Sequence, residues 1–565
     1  MSTLVRRDRS RLAPSQQPSA RRWANLQFEP LEDRRTMAAD PILDWNAIAL
    51  DAIKNDYDVG ATPDQGGPGK SARALAIVHV AMYDALMTIV PRYLPYRFHG
   101  LALPGTSIEA AVATAAHDTL VALFPHQTST FDAALAESLD GISGRAARQG
   151  TALGSRVARD ILALRANDGA DAPMDYTPGD QPGDYRPDPL HPDQMAIGPD
   201  WNNVLPFVIR SGDQFAAPPP PELTSQVYTD AFNEVKNLGA DGVNSPTTRT
   251  ADQTEIGVFW AYDGVPELGT PPRLYNQVTR VIAEQRHNSL FENARLFAQV
   301  NVAMQDVGVV VWTTKYEENF WRPITAVREA DPGTGPTGLG DGNPDTIGDP
   351  NWTPLGAPND NGGGTNFTPA FPAYSSGHAG FGSAVFGVLR NFYHTDNISF
   401  SFTSDEFNGV TRDAAGNVRP LRTRSYTSLS QAEHENADSR LYLGVHWRFD
   451  MDASSVQGQQ VANYVSRHFG LPLPRIFWFI PWHRHDVMSW EAAPTNSVAA
   501  PASATDTALA TTDFASLDIE NLSRASTSAV TPSALTHEAT AASDDNVAHS
   551  LDDALSAAAL DSKLR

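Results

Sequence analysis

Through most of its middle this chain spaces its apolar residues at three- and four-residue intervals, the period of one helix face. The pattern begins near Asp44, and residues 71–84 form a long apolar-rich helix that Pro91 interrupts. Ser107 is a good N-cap for the Ala-rich run 108–124, because its hydroxyl can accept an orphan amide of the first turn; Pro125 ends that run. Further helices are expected over 131–139 and 145–165. Between 166 and 222 Pro, Gly and Asp dominate and the period is lost, which predicts a long irregular connection lying over the surface. Helical spacing returns over 228–238, 253–262 and 273–285, then over 290–328. A Gly/Asp/Asn/Pro-rich stretch fills 331–366. Its aspartates lack EF-hand spacing, so it reads as a solvated loop. Helix resumes after Gly377 and again after Arg440. Strand signals are few, and Phe400-Ser401-Phe402 is the best candidate for a short hairpin arm.

The fold class is therefore all-α, with long Pro/Gly-rich connecting loops. A basic segment, 1–40, precedes an N-terminal helical half, 41–245, and a C-terminal half, 246–493; an Ala/Ser/Thr/Asp-rich tail fills 494–565. The tail cannot bury enough apolar surface to offset its ordering entropy, so disorder is expected there, with 551–560 as one short amphipathic segment. The run Phe28-Glu29-Pro30-Leu31-Glu32-Asp33-Arg34-Arg35 resembles an N-terminal segment of large exported bacterial surface proteins, which implies export or a cell-surface location. The competing reading is a disordered basic arm. With 565 residues the chain can bury a large core. A net charge of −24 disfavours nucleic-acid partners and makes any cationic pocket conspicuous. Without cysteine, disulfides and thiolate metal sites are excluded. No apolar run reaches the ~18 residues of a membrane span. His79 and His117 fall inside helices and read as structural residues.

Three motifs between Lys315 and Asp450 carry the candidate chemistry. Lys315 and Arg322 lie two turns apart, so one helix face can present both, although Pro323 disfavours helical geometry at the arginine. Trp312, Tyr316, Phe320 and Trp321 surround them, which points to burial, and a buried cation needs an anion. Ser376-Gly377-His378 precedes a small apolar run. At a helix start, the Gly377 amide and Ser376 hydroxyl would both face that anion. Arg440 and His446 differ by about 240° on a helix, so convergence would put Arg440 at or before a helix start and His446 inside it. Asp450, one turn on, can hold the imidazole tautomer. Each motif alone is compatible with ordinary capping or salt bridging; their joint order points to an oxyanion site with two histidines.

Lys315-(six residues)-Arg322-Pro323, Ser376-Gly377-His378 and Ser439-Arg440-(five residues)-His446 together resemble the signature shared by vanadium-dependent haloperoxidases and type 2 phosphatidic-acid-phosphatase-like phosphatases. The flanking runs 259–264, 269–273, 320–323 and 371–374 are similar to the vanadium chloroperoxidase branch. That resemblance implies two four-helix-bundle halves and a vanadate cofactor held by Lys315, Arg322, Ser376, Gly377 and Arg440, a site that phosphate could also occupy. It implies His446 as the axial ligand to vanadium, His378 as acid/base, Asp263 bracing Arg440, and Trp312 and Phe371 lining the halide side. Ser375 stands where the family usually has Pro, which implies a looser Gly377 loop. The implied partners are hydrogen peroxide, a halide ion and a small organic acceptor; the oligomeric state is left open. The implied reaction is oxidation of chloride or bromide to hypohalous acid. Two alternatives stay open: a phosphomonoesterase in which His446 attacks phosphorus, and a non-catalytic anion-binding surface protein.

Overall fold

The structure is a computed structural model that describes residues 40–58, 60–172 and 175–473. The expectations for 1–39, for the tail and for its 551–560 segment lie outside the described residues. The helical period is realised as α1 (Pro41–Asp56), α2 (Gly67–Ile89), α3 (Ile108–Leu123), α4 (Thr128–Leu139), α5 (Gly144–Arg165), α6 (Gln226–Leu238), α7 (Ala251–Phe259), α8 (Pro271–Gln285), α9 (Leu290–Glu318), α10 (Pro323–Glu329), α11 (Gly377–Tyr393), α12 (Leu429–Tyr442) and α13 (Arg448–His468). The only strand pair among the described residues is β1 (Phe400–Thr403) against β2 (Thr423–Tyr426), antiparallel, with Phe400 opposite Tyr426. This is the expected hairpin arm.

Helix α2 packs on α3 and α9, and α3 on α5; α9 also packs on α11 and α13, themselves tightly paired. One apolar core runs through both groups, and a smaller one gathers Tyr228, Phe232, Phe320, Trp321 and Trp447 beneath the candidate site. Helix α2 has the length and hydropathy to cross a membrane, but 89% of its apolar window is buried inside the protein, as befits a core helix. Ser107 caps α3 as expected, accepting from the Ala110 amide at 3.1 Å. The irregular 166–222 connection is held by buried charge. The Asp306 carboxylate on α9 accepts from the amides of Phe207, Val208 and Ile209 at 2.6, 2.8 and 3.0 Å, while Arg165 donates to the Leu205 carbonyl at 2.7 Å.

The helical stretch over 290–328 is two helices, with Arg322 at the break that Pro323 favours. Asn319 ends α9 in the left-handed conformation (φ 49°), and Arg322 is extended (φ −80°, ψ 155°), as a residue before proline prefers. Lys315 and Arg322 therefore do not share a helix face. A second correction concerns Arg440 and His446. Arg440 closes α12, and His446 lies outside any helix, in the turn before α13.

His79 is structural. Its Nε2 accepts from Asn46 Nδ2 at 2.9 Å, and burial, then Arg280, push its pKa down to about 3. A depressed histidine pKa means the folded state resists protonation, so this contribution is complete above the ordinary value of 6.5 and is lost as pH falls towards 3. Glutamine can keep the acceptor but cannot titrate. Urea unfolding at about pH 7 and about pH 4 should therefore show a smaller acid-induced loss in H79Q than in the unmodified protein, by about 3 kcal/mol at most. Equal losses in the two proteins would assign the acid sensitivity elsewhere.

Candidate active site

Lys315 leaves the last turn of α9 and is fully buried; its Nζ donates to the carbonyls of Pro372 at 2.8 Å and Ala373 at 3.0 Å. Arg322, the N-cap of α10, donates from Nε to the Phe371 carbonyl (2.8 Å) and from Nη1 to the Val445 carbonyl (2.7 Å) and His446 Nε2 (3.0 Å). Arg440 forms a two-pronged bond to Asp263, Nη1 to Oδ2 at 3.0 Å and Nη2 to Oδ1 at 2.7 Å. Ser376 caps α11, and its amide donates to the Asp450 carbonyl oxygen at 3.0 Å; Gly377 is the first residue of that helix. A Cβ at Gly377 would lie 3.3 Å from the Trp312 ring, so only glycine fits there without displacement.

The two histidines have assignable tautomers. A guanidinium can only donate, so His446 Nε2 carries a lone pair, and Nδ1–H donates to Asp450 Oδ2 at 2.9 Å. Asp450 Oδ2 also accepts the Trp447 amide at 3.1 Å. The His378 Nε2–H donates to the Ala261 carbonyl at 2.6 Å, which leaves Nδ1 as its basic atom. Trp312 and Phe371 pack with ring centroids 5.1 Å apart, and Lys315 Nζ sits 4.9 Å from the Phe371 ring centre. Phe371 and His378 keep 8% and 6% exposure, whereas Lys315, Ser376 and Arg440 keep none, so solvent reaches the cage from the Phe371–His378 side.

Positive charge dominates this buried space. Burial, reinforced by Arg322, drives the Lys315 pKa well below its ordinary value, and burial lowers Arg322 to about 10. Burial, Arg322 and Lys315 push His446 well below the usual imidazole range, and burial followed by Arg440 takes His378 down to about 3; both rings are neutral. Burial pushes Asp450 up to about 7 even against the pull of Lys315 and Arg322. Two guanidinium atoms, Arg322 Nη2 and Arg440 Nε, are buried without a partner among the described residues. Orphaned donors, a lysine, a helix N-terminus and a lone-pair nitrogen form a donor set that fits a tetrahedral oxyanion.

All eleven residues singled out from the sequence thus fall in one contiguous network, including Asp263 and Asp450. Several supports had no sequence signal. The Tyr275 hydroxyl lies 2.9 Å from both the His378 carbonyl and Asn436 Oδ1, and Asn436 Nδ2 donates to the same carbonyl at 3.1 Å. The carbonyls of Pro372, Ala373 and Val445 belong to residues whose side chains say nothing of the role. Ser375 was expected to loosen the Gly377 loop. Instead its hydroxyl is buried and donates to Gln457 Oε1 on α13 at 2.7 Å, which ties the loop down.

Comparison with known proteins agrees with this geometry. Residues 29–204 match the model of the vanadium chloroperoxidase N-terminal domain, and residues 295–471 match that of the VCPO second helical-bundle domain. The chain is 34% identical over 505 residues to vanadium chloroperoxidase of Curvularia inaequalis, an alignment covering 73% of this chain and 79% of that protein. Its fold is similar to a bacterial vanadium-dependent iodoperoxidase, with TM-score 0.60, 23% identity, and 76% and 96% of the two chains covered. It is also similar to a holo-type bacterial vanadium-dependent chloroperoxidase, with TM-score 0.55, 16% identity, and 73% and 95% covered. The sequence kinship, spanning both helical domains, and the cage of cations closed by a neutral imidazole establish that this chain belongs to the vanadium chloroperoxidase family.

Proposed function

We propose that Lys315, Arg322, Ser376, Gly377 and Arg440 hold vanadate, that His446 ligates it through Nε2, and that the enzyme oxidises chloride or bromide with hydrogen peroxide to hypohalous acid. The observation that carries this reading is the lone pair of His446 Nε2 directed at the Arg322 guanidinium inside the cage, with its tautomer fixed by Asp450. Bound vanadate supplies a Lewis acid that polarises the peroxide O–O bond while its oxidation state stays fixed.

The chain's own residues do the rest. Arg322 and Arg440 neutralise the oxyanion, and Asp263 keeps the Arg440 fork oriented. His378, neutral because of burial and Arg440, accepts the proton of incoming peroxide at Nδ1, while its Nε2–H stays on the Ala261 carbonyl. Lys315 stabilises negative charge developing on oxygen as halide attacks. Trp312 and Phe371 form the apolar wall on the side open to solvent, where a weakly hydrated halide would sit. The organic acceptor is then any electron-rich compound that hypohalous acid meets. Export of the chain is part of this reading and rests on the resemblance of residues 28–35.

Protein loaded with orthovanadate is expected to oxidise bromide or chloride with peroxide, monitored by halogenation of a dye, and the metal-stripped protein is expected to be inactive. Steady p-nitrophenyl phosphate hydrolysis without halide oxidation after loading would replace this reading with the phosphomonoesterase one.

A further inference from the structure

The segment at residues 261–263 serves two catalytic groups from three consecutive positions. The Ala261 carbonyl holds His378, and the Asp263 carboxylate holds Arg440. Between them Tyr262 sits at φ 50°, a conformation that a bulky residue adopts only when its surroundings impose it. What imposes it comes from the hairpin arm, well outside the cage. The Tyr262 amide donates to Glu406 Oε1 at 2.9 Å, and the Asp405 amide donates to the Tyr262 hydroxyl at 2.7 Å. The same hydroxyl donates to Gln277 Oε1 at 2.9 Å.

We propose that Glu406 is a positioning residue for the haloperoxidase reaction: by gripping the Tyr262 amide it sets the placement of His378 and Arg440 together. The inference rests on the functional reading above.

The chemistry around Glu406 suits a fixed neutral grip. Glu406 and Asp360 are both fully buried and face each other, and the cation beside them is Arg419, which donates to both Asp360 oxygens at 2.8 and 2.7 Å. One guanidinium cannot balance two touching buried carboxylates, so one of them keeps a proton. Arg419 commits to Asp360, which leaves Glu406 as the acid, and burial beside Asp360 pushes its pKa well above the usual range. Among the described residues no N–H or hydroxyl reaches Glu406 Oε2, which leaves that oxygen free to carry the proton. The remaining charged groups nearby are accounted for: Asp405 pairs with Arg273 at 2.6 Å, and Asp413 interacts electrostatically with Arg419. A protonated Glu406 thus accepts from Tyr262 and donates to Asp360, and glutamine can reproduce both bonds.

The test compares full-length protein with E406L, E406D and E406Q. Vanadate affinity is measured by calorimetry, and kcat for bromide oxidation at saturating vanadate. E406L leaves the Tyr262 amide unpartnered and is expected to raise the vanadate Kd and lower kcat, each about tenfold or more, as loss of an outer support of a metal site does. E406Q is expected to restore both values to near those of the unmodified protein. Should E406L not fold, E406D carries the same expectation, since it draws the acid back from the amide by one methylene. As a stability control, Asp84→Asn alters another buried carboxylate, one that anchors the amides of Tyr96, Arg97 and Phe98; it should lower Tm and leave Kd and kcat alone. The inference is overturned if E406L and E406D match the unmodified protein in both values, or if E406Q is as impaired as E406L. Failure of the unmodified protein to take up vanadate would instead remove the functional reading, and this inference with it.

Discussion

His446→Ala is expected to lower halide oxidation by more than about a hundredfold, because even an outer support of a metal ligand is worth about 10–100-fold and this residue is the proposed ligand itself. Its role follows from three features of its surroundings. Burial, then the cations around it, keep the ring's pKa well below the usual imidazole range, so its lone pair is available at neutral pH. Asp450 accepts from Nδ1, which commits Nε2 to the cage. Arg322 Nη1 meets that nitrogen at 3.0 Å, so the lone pair already faces the place where the oxyanion would sit. Truncation also leaves a cavity, for which a stability loss of about 2–4 kcal/mol is expected. Turnover must therefore be referred to folded protein, followed by circular dichroism on the same samples. Activity of the variant within about tenfold of the unmodified enzyme would remove His446 from the metal.

The cage was legible in the sequence because its chemistry sits in side chains with few other uses at those spacings. Lys315, Arg322, Arg440 and the two histidines form an unusual inventory for an acidic chain. The path of the backbone between them was harder to read. A helical period tells which face a residue is on; it does not say where a helix stops. The stretch from Arg440 to Asp450 shows the difference. Gly444 adopts φ 73°, and a Cβ there would fall 2.5 Å from the Gly239 carbonyl oxygen. Glycine in that conformation is a helix terminator, and its place two residues after Tyr442 was the available signal that α12 ends before His446. The break puts His446 in a turn, where its ring can meet Arg322 from α10 while Asp450 in the first turn of α13 still reaches Nδ1. Supports such as Tyr275 and Glu406 were invisible for another reason. They act on backbone groups 103 and 144 residues away, and no local pattern encodes so distant a pairing.

Orthovanadate should stabilise the protein strongly, and Lys315→Met should remove much of that effect. The three buried cations are held by neutral carbonyls, one neutral histidine and Asp263, with Asp450 pushed up towards its protonated form. An oxyanion relieves that imbalance only in the folded state, because the unfolded chain has no cage. Linkage then gives about 4 kcal/mol at a thousandfold excess of anion over Kd, read as a rise in Tm. Methionine in place of Lys315 keeps the length and apolar stem but deletes the charge. Without anion, the loss of hydrogen bonds to Pro372 and Ala373 opposes the relief from burying one fewer cation beside Arg322, so Tm should change little. With anion, the lost charge-assisted bond is worth about 1.5–3 kcal/mol, so vanadate-induced stabilisation should shrink by that amount. Orthophosphate should behave in the same direction, since the donors recognise shape and charge and not the central atom. The informative quantity is the difference between the two Tm shifts. If K315M and the unmodified protein gain equally from vanadate, Lys315 does not touch the anion, and the carbonyls of Pro372 and Ala373 are its whole function.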